Sequence, residues 1–363
     1  MVKTQTREIS VARAIADAWR RVSSTSMTVT MAIGAPLLWG VVALGEVAPS
    51  DTIGVIDFFG YQGLDVAKVR AALPVRAGDP FSRHTKGLIE DAVERVIGKK
   101  PTDVARVCCD GNGRSLIYIG LPGGTYKPFV LDPAPAGRER LPAEILSLEQ
   151  RVGEARAAAV RKGGDAAQED DSQGYALSKD PAMRALQLEM RAWALEHGPE
   201  LVHVLRSSSD AKQRRVASEV LGYARQSQEQ IMTLIRAARD PDPVVRNNAT
   251  RALVVLVRSN ARLAEGVEPD TFLAMLGSGM WTDHNKAVAL LDLMTSGRDP
   301  KLLARIREQA LEPLIEMALW SEAGHAYFAR VVLGRLGGIP EEQLSSMALD
   351  GPVDPIVAAA RRQ

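Results

Sequence analysis

From residue 180 onward, apolar positions recur at helical spacing, and one short phrase returns four times. Ala217, Ala249, Ala287 and Ala329 each have apolar residues three, four and seven positions further on: Val220, Leu221, Ala224; Ala252, Leu253, Leu256; Leu290, Leu291, Met294; Val332, Leu333, Leu336. Such a set lies on one face of a helix. The intervals of 32, 38 and 42 residues suit a two-helix unit with loops of variable length, whose apolar face is satisfied only by its neighbours. The expected pairs are 200–206 with 211–224, 228–239 with 243–258, 271–276 with 283–295, and 300–319 with 324–336, after a first helix opened by Asp180-Pro181. Asp242-Pro243 is the strongest start signal: an aspartate accepts from free backbone N–H groups, and proline at the first helical position gives up a donor that has no partner there. Pro313 is expected to kink its helix, and Gly337-Gly338 to end the array.

The pattern before residue 132 is different. Residues 53–59 alternate and are β-branched or aromatic, as a strand requires. Helices are expected at 66–73 and 84–96, then strands at 104–109 and 115–120 joined by Asp110-Gly111-Asn112-Gly113, residues tolerant of positive φ. The order is strand, helix, helix, strand, strand. Residues 132–140 read as linker, 142–161 as a helix with a thin apolar seam, and 163–174 as a flexible stretch with almost nothing to bury.

The fold class is therefore multidomain: a small α+β domain, βααββ, followed by an all-α array. Its segments are a basic flank at 1–26, an apolar run at 27–45, the α+β domain at 53–131, a linker region at 132–179, the helical array at 180–340 and a polar C-terminal cap at 341–363. Met27 to Gly45 carries no charge and follows Lys3, Arg7, Arg13, Arg20 and Arg21. A basic flank before an apolar run, unless that run is an ordinary buried segment, implies membrane targeting, either as a cleaved signal or as a retained anchor. Both alternatives place the remainder outside the cytoplasm, in the periplasm or anchored facing outward.

The βααββ order, with Gly78-Asp79-Pro80-Phe81-Ser82 in the connector between its helices, resembles the POTRA domain over about residues 53–121. That resemblance implies protein binding, by addition of a strand to a sheet edge. Asp242, Pro243, Arg246, Ala249, Ala252 and Leu253 resemble the HEAT repeat, with the armadillo repeat second, over about 199–336. This likeness implies an α-solenoid with a structural ladder of Asp and Arg: Asp210 and Arg214, then Asp242 and Arg246, weakening at Met280 and His284 and at Glu322 and Ala326.

With 45 basic and 44 acidic residues, the chain lacks the net positive charge that a nucleic-acid backbone would demand of its partner, so none is expected. The five histidines do not fall at metal-ligand spacing; His197 and His203 flank Glu200, but Gly198-Pro199 interrupts the helix that would align them. Gly277-Ser278-Gly279 lacks the spacing of a nucleophile elbow, and the glycine pairs near 111 and 123 lack the lysine and helix of a phosphate cradle. No catalytic, cofactor-binding or metal residue is assigned, and no cofactor is expected. Cys108 and Cys109, neighbours on a strand, should point to opposite faces as one buried and one surface thiol, with a strained vicinal disulfide or redox pair as the alternative.

A binding surface is expected on the second helices of the pairs, which in HEAT arrays line the concave side. Two positions before each core alanine stand Arg215, Asn247, Asn285 and Tyr327, with Arg251 and Trp281 nearby. Arg, Tyr and Trp are residue types that anchor protein interfaces. These observations favour a non-catalytic adaptor of the bacterial cell envelope with a protein or peptide partner. The alternatives are an enzyme subunit of the lyase-like HEAT class acting with a partner, and a purely structural envelope protein.

Overall fold

A computed structural model describes residues 50–162, 166 and 168–362. The expected basic flank and apolar run lie outside the described residues. Among those residues, no helix is long and apolar enough to cross a membrane.

Strand β1 (Ser50–Phe59) leads through helices α1 (Val66–Ala72) and α2 (Thr85–Ile97) to the hairpin of β2 (Asp103–Val107) and β3 (Arg114–Gly120). The sheet order is β1-β3-β2, with β1 and β3 parallel and β2 antiparallel to β3. A parallel pair needs a crossover, and the two helices supply it. Gly60, at φ +69, ends β1, and a Cβ there would meet the Leu121 carbonyl oxygen at 2.4 Å. Only glycine fits that turn.

Alternation along β3 assigns its two faces to two cores. Ile117 and Ile119 join Ile53, Phe58, Val69, Ile89 and Val93 under α1 and α2. Leu116 and Tyr118, with Phe59 and Val107, belong to the core of the helical array. Period-two side chains thus make β3 the plane between two helical layers. The α+β part and the array, expected as separate domains, share one core in this region.

The array begins with α3 (Ala143–Lys162) against α4 (Pro181–Glu196) and continues through α5 (Gly198–Ser207), α6 (Ala211–Leu221), α7 (Gln228–Ala237), α8 (Pro243–Ser259), α9 (Asp270–Met275), α10 (Trp281–Met294), α11 (Pro300–Ala318) and α12 (Ala323–Leu336). Leu221, Leu253, Leu291 and Leu333 all sit in a single hydrophobic core, as the repeat pattern requires. Asp180, Asp210, Asp242 and Asp299 cap α4, α6, α8 and α11 by accepting from backbone N–H groups of the first turn. Met280 and Glu322 give α10 and α12 no such side-chain cap. Pro313 lies inside α11 without ending it.

Four expectations change. Residues 132–140 are a strap laid on the array: Asp132 N donates to Arg239 O, and Gly137 N to Ser207 O, at 2.8 Å each. In the stretch expected to be flexible, Glu169–Asp170 forms β4 and pairs with β5, Leu177–Ser178. The C-terminal segment is not merely polar. It forms α13 (Glu341–Asp350) and α14 (Asp354–Arg362), which bury Leu344, Ala348, Ile356 and Ala360. Cys108 and Cys109 are bonded to each other as a vicinal disulfide, both half-buried; β2 ends at Val107, so strand alternation does not reach them.

Candidate functional site

Two regions concentrate polar groups: the seam between sheet and array, and the inner side of α8 and α10. At the seam, the turn after β1 meets Glu316 of α11. Its carboxylate accepts from Gly60 N at 2.6 Å, Gln62 N at 2.9 Å, Tyr61 N at 3.0 Å and Thr125 Oγ1 at 3.0 Å. Burial pushes Glu316 up to about 7, against the pull of those four donors. Nearby, Ser321 N and Oγ donate to Asp57, and Trp320 Nε1 donates to the Phe58 carbonyl at 3.0 Å. Tyr118 projects from β3 between Trp281 and Trp320, with ring centroids 5.2 and 4.8 Å away, and its hydroxyl lies 2.6 Å from His325 Nδ1. Burial, then the charge of Lys286, lowers His325 to about 3, so this ring is neutral at physiological pH. Glu316, Asp57, Tyr118 and the Trp320 indole each have a partner within the chain, while the buried Trp281 Nε1 has none.

The Asp/Arg ladder exists, in a different register from the one expected. Arg214 on α6 makes a two-pronged pair with Asp240, and Arg246 on α8 with Asp283 of α10, at 2.7–2.9 Å. Asp210 and Asp242 instead cap their helices and pair with Arg140 and Arg215. A second contact repeats with a constant offset: Arg214 Nη1 donates to Ser208 O, Arg246 Nη1 to Asp240 O, and His284 Nε2 lies 2.7 Å from Ser278 O. His284 therefore continues the carbonyl contact after the guanidinium is lost. Ala326 cannot. The rungs weaken toward α12, as the sequence suggests.

The surface column expected to be open is largely covered. Trp281 and Asn285 are 1% exposed and Asn247 8%. Tyr118 stacks on Trp281, Arg251 forms an ion pair with Glu169 of the β4–β5 hairpin, and Tyr327 reaches Ser345 of α13 at 3.5 Å. Arg215 is half-buried by its pair with Asp242. These six residues are thus not a free protein-binding face, because the chain's own sheet, hairpin and cap fill the inner side of the second helices.

The hairpin supplies what the sequence did not reveal. Three consecutive acids, Glu169, Asp170 and Asp171, face Arg251, Arg184 and Arg258, the last pair at 2.6 Å. Beneath them Lys286 is fully buried; burial, and then the charge of Arg251, lowers it to about 7 while Glu169 opposes the shift. Several enclosed atoms of this region have no hydrogen-bond partner: Glu169 Oε2, Asn247 Oδ1, Thr250 Oγ1 and both amide atoms of Asn285. Composition alone made residues 163–174 look solvated, and the basic residues that accept the acids stand far away in the chain. Among the described residues, no group of three or more His, Cys, Asp or Glu side chains is placed to hold a metal ion.

Residues 198–301 match the family described as HEAT repeats. The C-terminal half is helical and carries these repeats from α5 to the start of α11. HEAT repeats are generally protein-interaction scaffolds. No curated protein matches the chain.

Proposed function

We propose that this protein is a non-catalytic protein-binding scaffold of the cell envelope, and that the β2 edge of its sheet is one of its docking surfaces. The observation that carries the second part is the unequal state of the two sheet edges. The β1 edge is occupied: Ile53 exchanges backbone hydrogen bonds with Asp79 and Gly78, and Trp320 takes the Phe58 carbonyl. β2 pairs only with β3. No backbone hydrogen bond joins Asp103, Val104, Ala105 or Val107 on that other side to another segment among the described residues. A strand edge without a partner strand offers backbone donors and acceptors to an extended partner segment. The HEAT match supports the wider reading, and the resemblance of the βααββ element order to POTRA domains agrees with it.

The basic flank at 1–26 and uncharged run at 27–45 support delivery to the membrane or beyond. N-terminal sequencing of the mature protein distinguishes a cleaved signal from a retained anchor. For docking, a photo-reactive phenylalanine analogue is placed at Ala105 in β2 or, for comparison, at the exposed Leu188 of α4. Irradiation in membrane extracts should yield a discrete protein adduct from position 105 alone. Equal adducts from both positions, or none, would remove the sheet edge from the account.

A further inference from the structure

The acidic triplet of the β4–β5 hairpin sits on a surface built to take it. Arg251 and Arg258 are two turns apart on α8, and Arg184 is on α4; each holds one carboxylate of three successive residues in an extended segment. The second strand is fastened differently. Leu177 is buried in the array core, and Tyr175 lies under the Arg191 guanidinium at 3.7 Å. The first strand is held by its short pairing with β5 and by ion pairs, of which those of Asp170 and Asp171 are partly open to solvent and so weak attachments.

The fit of this segment is also incomplete. Glu169 lies against Arg251 with one carboxylate oxygen unused, while Asn247 Oδ1, one turn earlier on α8, has no partner. On the neighbouring helix α10, Asn285 is 1% exposed with both amide atoms unpaired. A buried polar atom without a partner is costly, so a segment that met these atoms would bind better than the hairpin does.

We infer that the face of α8 and α10 carrying Arg251, Arg258, Asn247 and Asn285 is a docking site for an acidic, extended peptide segment of a partner protein, occupied in the free protein by residues 169–171. This rests on the scaffold reading but concerns a different surface from the β2 edge, so either can fail alone. The hairpin acts as an internal competitor. A partner must present at least two successive carboxylates in extended form, and its binding must weaken with salt as ion pairs do.

The test uses the full chain and a fluorescein-labelled peptide with the sequence of residues 168–178. Fluorescence anisotropy compares the wild type with the double variant Asp170→Asn, Asp171→Asn, which loosens the hairpin without touching Arg251 or Arg258. The variant should bind the peptide at least about tenfold more tightly. Arg258→Ala in that background should abolish the gain, and a peptide with its three acids replaced by amides should not bind. Equal affinity for wild type and double variant, or equal binding of the amide peptide, would overturn the proposal. Should the double variant fail to fold, hydrogen exchange of the wild type decides. Excess acidic peptide, and not the amide peptide, should speed exchange across residues 168–174; unchanged exchange overturns the proposal.

Discussion

Glu316 shows how one side chain can carry a joint between distant parts of the chain. Its oxygens receive three successive backbone N–H groups of the turn after β1 and the Thr125 hydroxyl. Burial outweighs those donors and lifts its titration from the ordinary range to about 7. A carboxyl whose folded value lies above its unfolded one binds a proton more readily in the folded state. Its contribution to stability is therefore complete below the unfolded value near 4.5 and is lost as pH rises through about 7. The difference in urea midpoint between the wild type and Glu316→Gln should shift against the wild type as pH rises from 5 to 8. A constant difference would mean that Glu316 does not titrate in this window. Nothing in the sequence near Glu316 marks it, because its four donors come from Gly60 to Gln62 and from Thr125.

Among the elements, what could be read from the chain was what depends on local pattern. The caps at Asp180 and Asp242, the repeated apolar faces and the βααββ order all follow from spacing within one segment. The ladder was legible only in kind. Arg214 and Arg246 were recognisable, but Asp240 belongs to the loop before α8 and Asp283 to the first turn of α10, so the acid chosen by each arginine depends on how successive pairs stack. Arg246 joins α8 to α10 through a pair that is almost wholly enclosed. Arg246→Ala leaves the buried Asp283 carboxylate without its counter-charge, with only the Ser278 hydroxyl donating to it, and should cost about 3–5 kcal/mol. Arg151→Ala, which breaks the exposed pair with Glu189, should cost under about 1 kcal/mol. Chemical denaturation of both variants checks the contrast; similar losses would show that burial does not set the strength of these pairs. The β4–β5 hairpin was hidden for another reason. A short acidic stretch looks solvated until the arginines of α4 and α8 are placed opposite it.

For the whole molecule, the account depends on β3 belonging to two layers at once. Ile117 and Ile119 serve α1 and α2, while Leu116 and Tyr118 enter the array, where Tyr118 meets Trp281, Trp320 and His325. Alternation along 115–120 announced a strand but could not say that its second face was covered by helices 160 or more residues further along the chain. The same covering takes Trp281 out of the set of exposed residues. Native-state hydrogen exchange tests the shared core most directly, by comparing the amides of residues 115–120 in β3 with those of 284–291 in α10, in the wild type and in Tyr118→Ala. One common core predicts a single opening free energy for both segments and an equal loss in both when the tyrosine ring is removed. Protection in α10 that persists while β3 alone is loosened would contradict it.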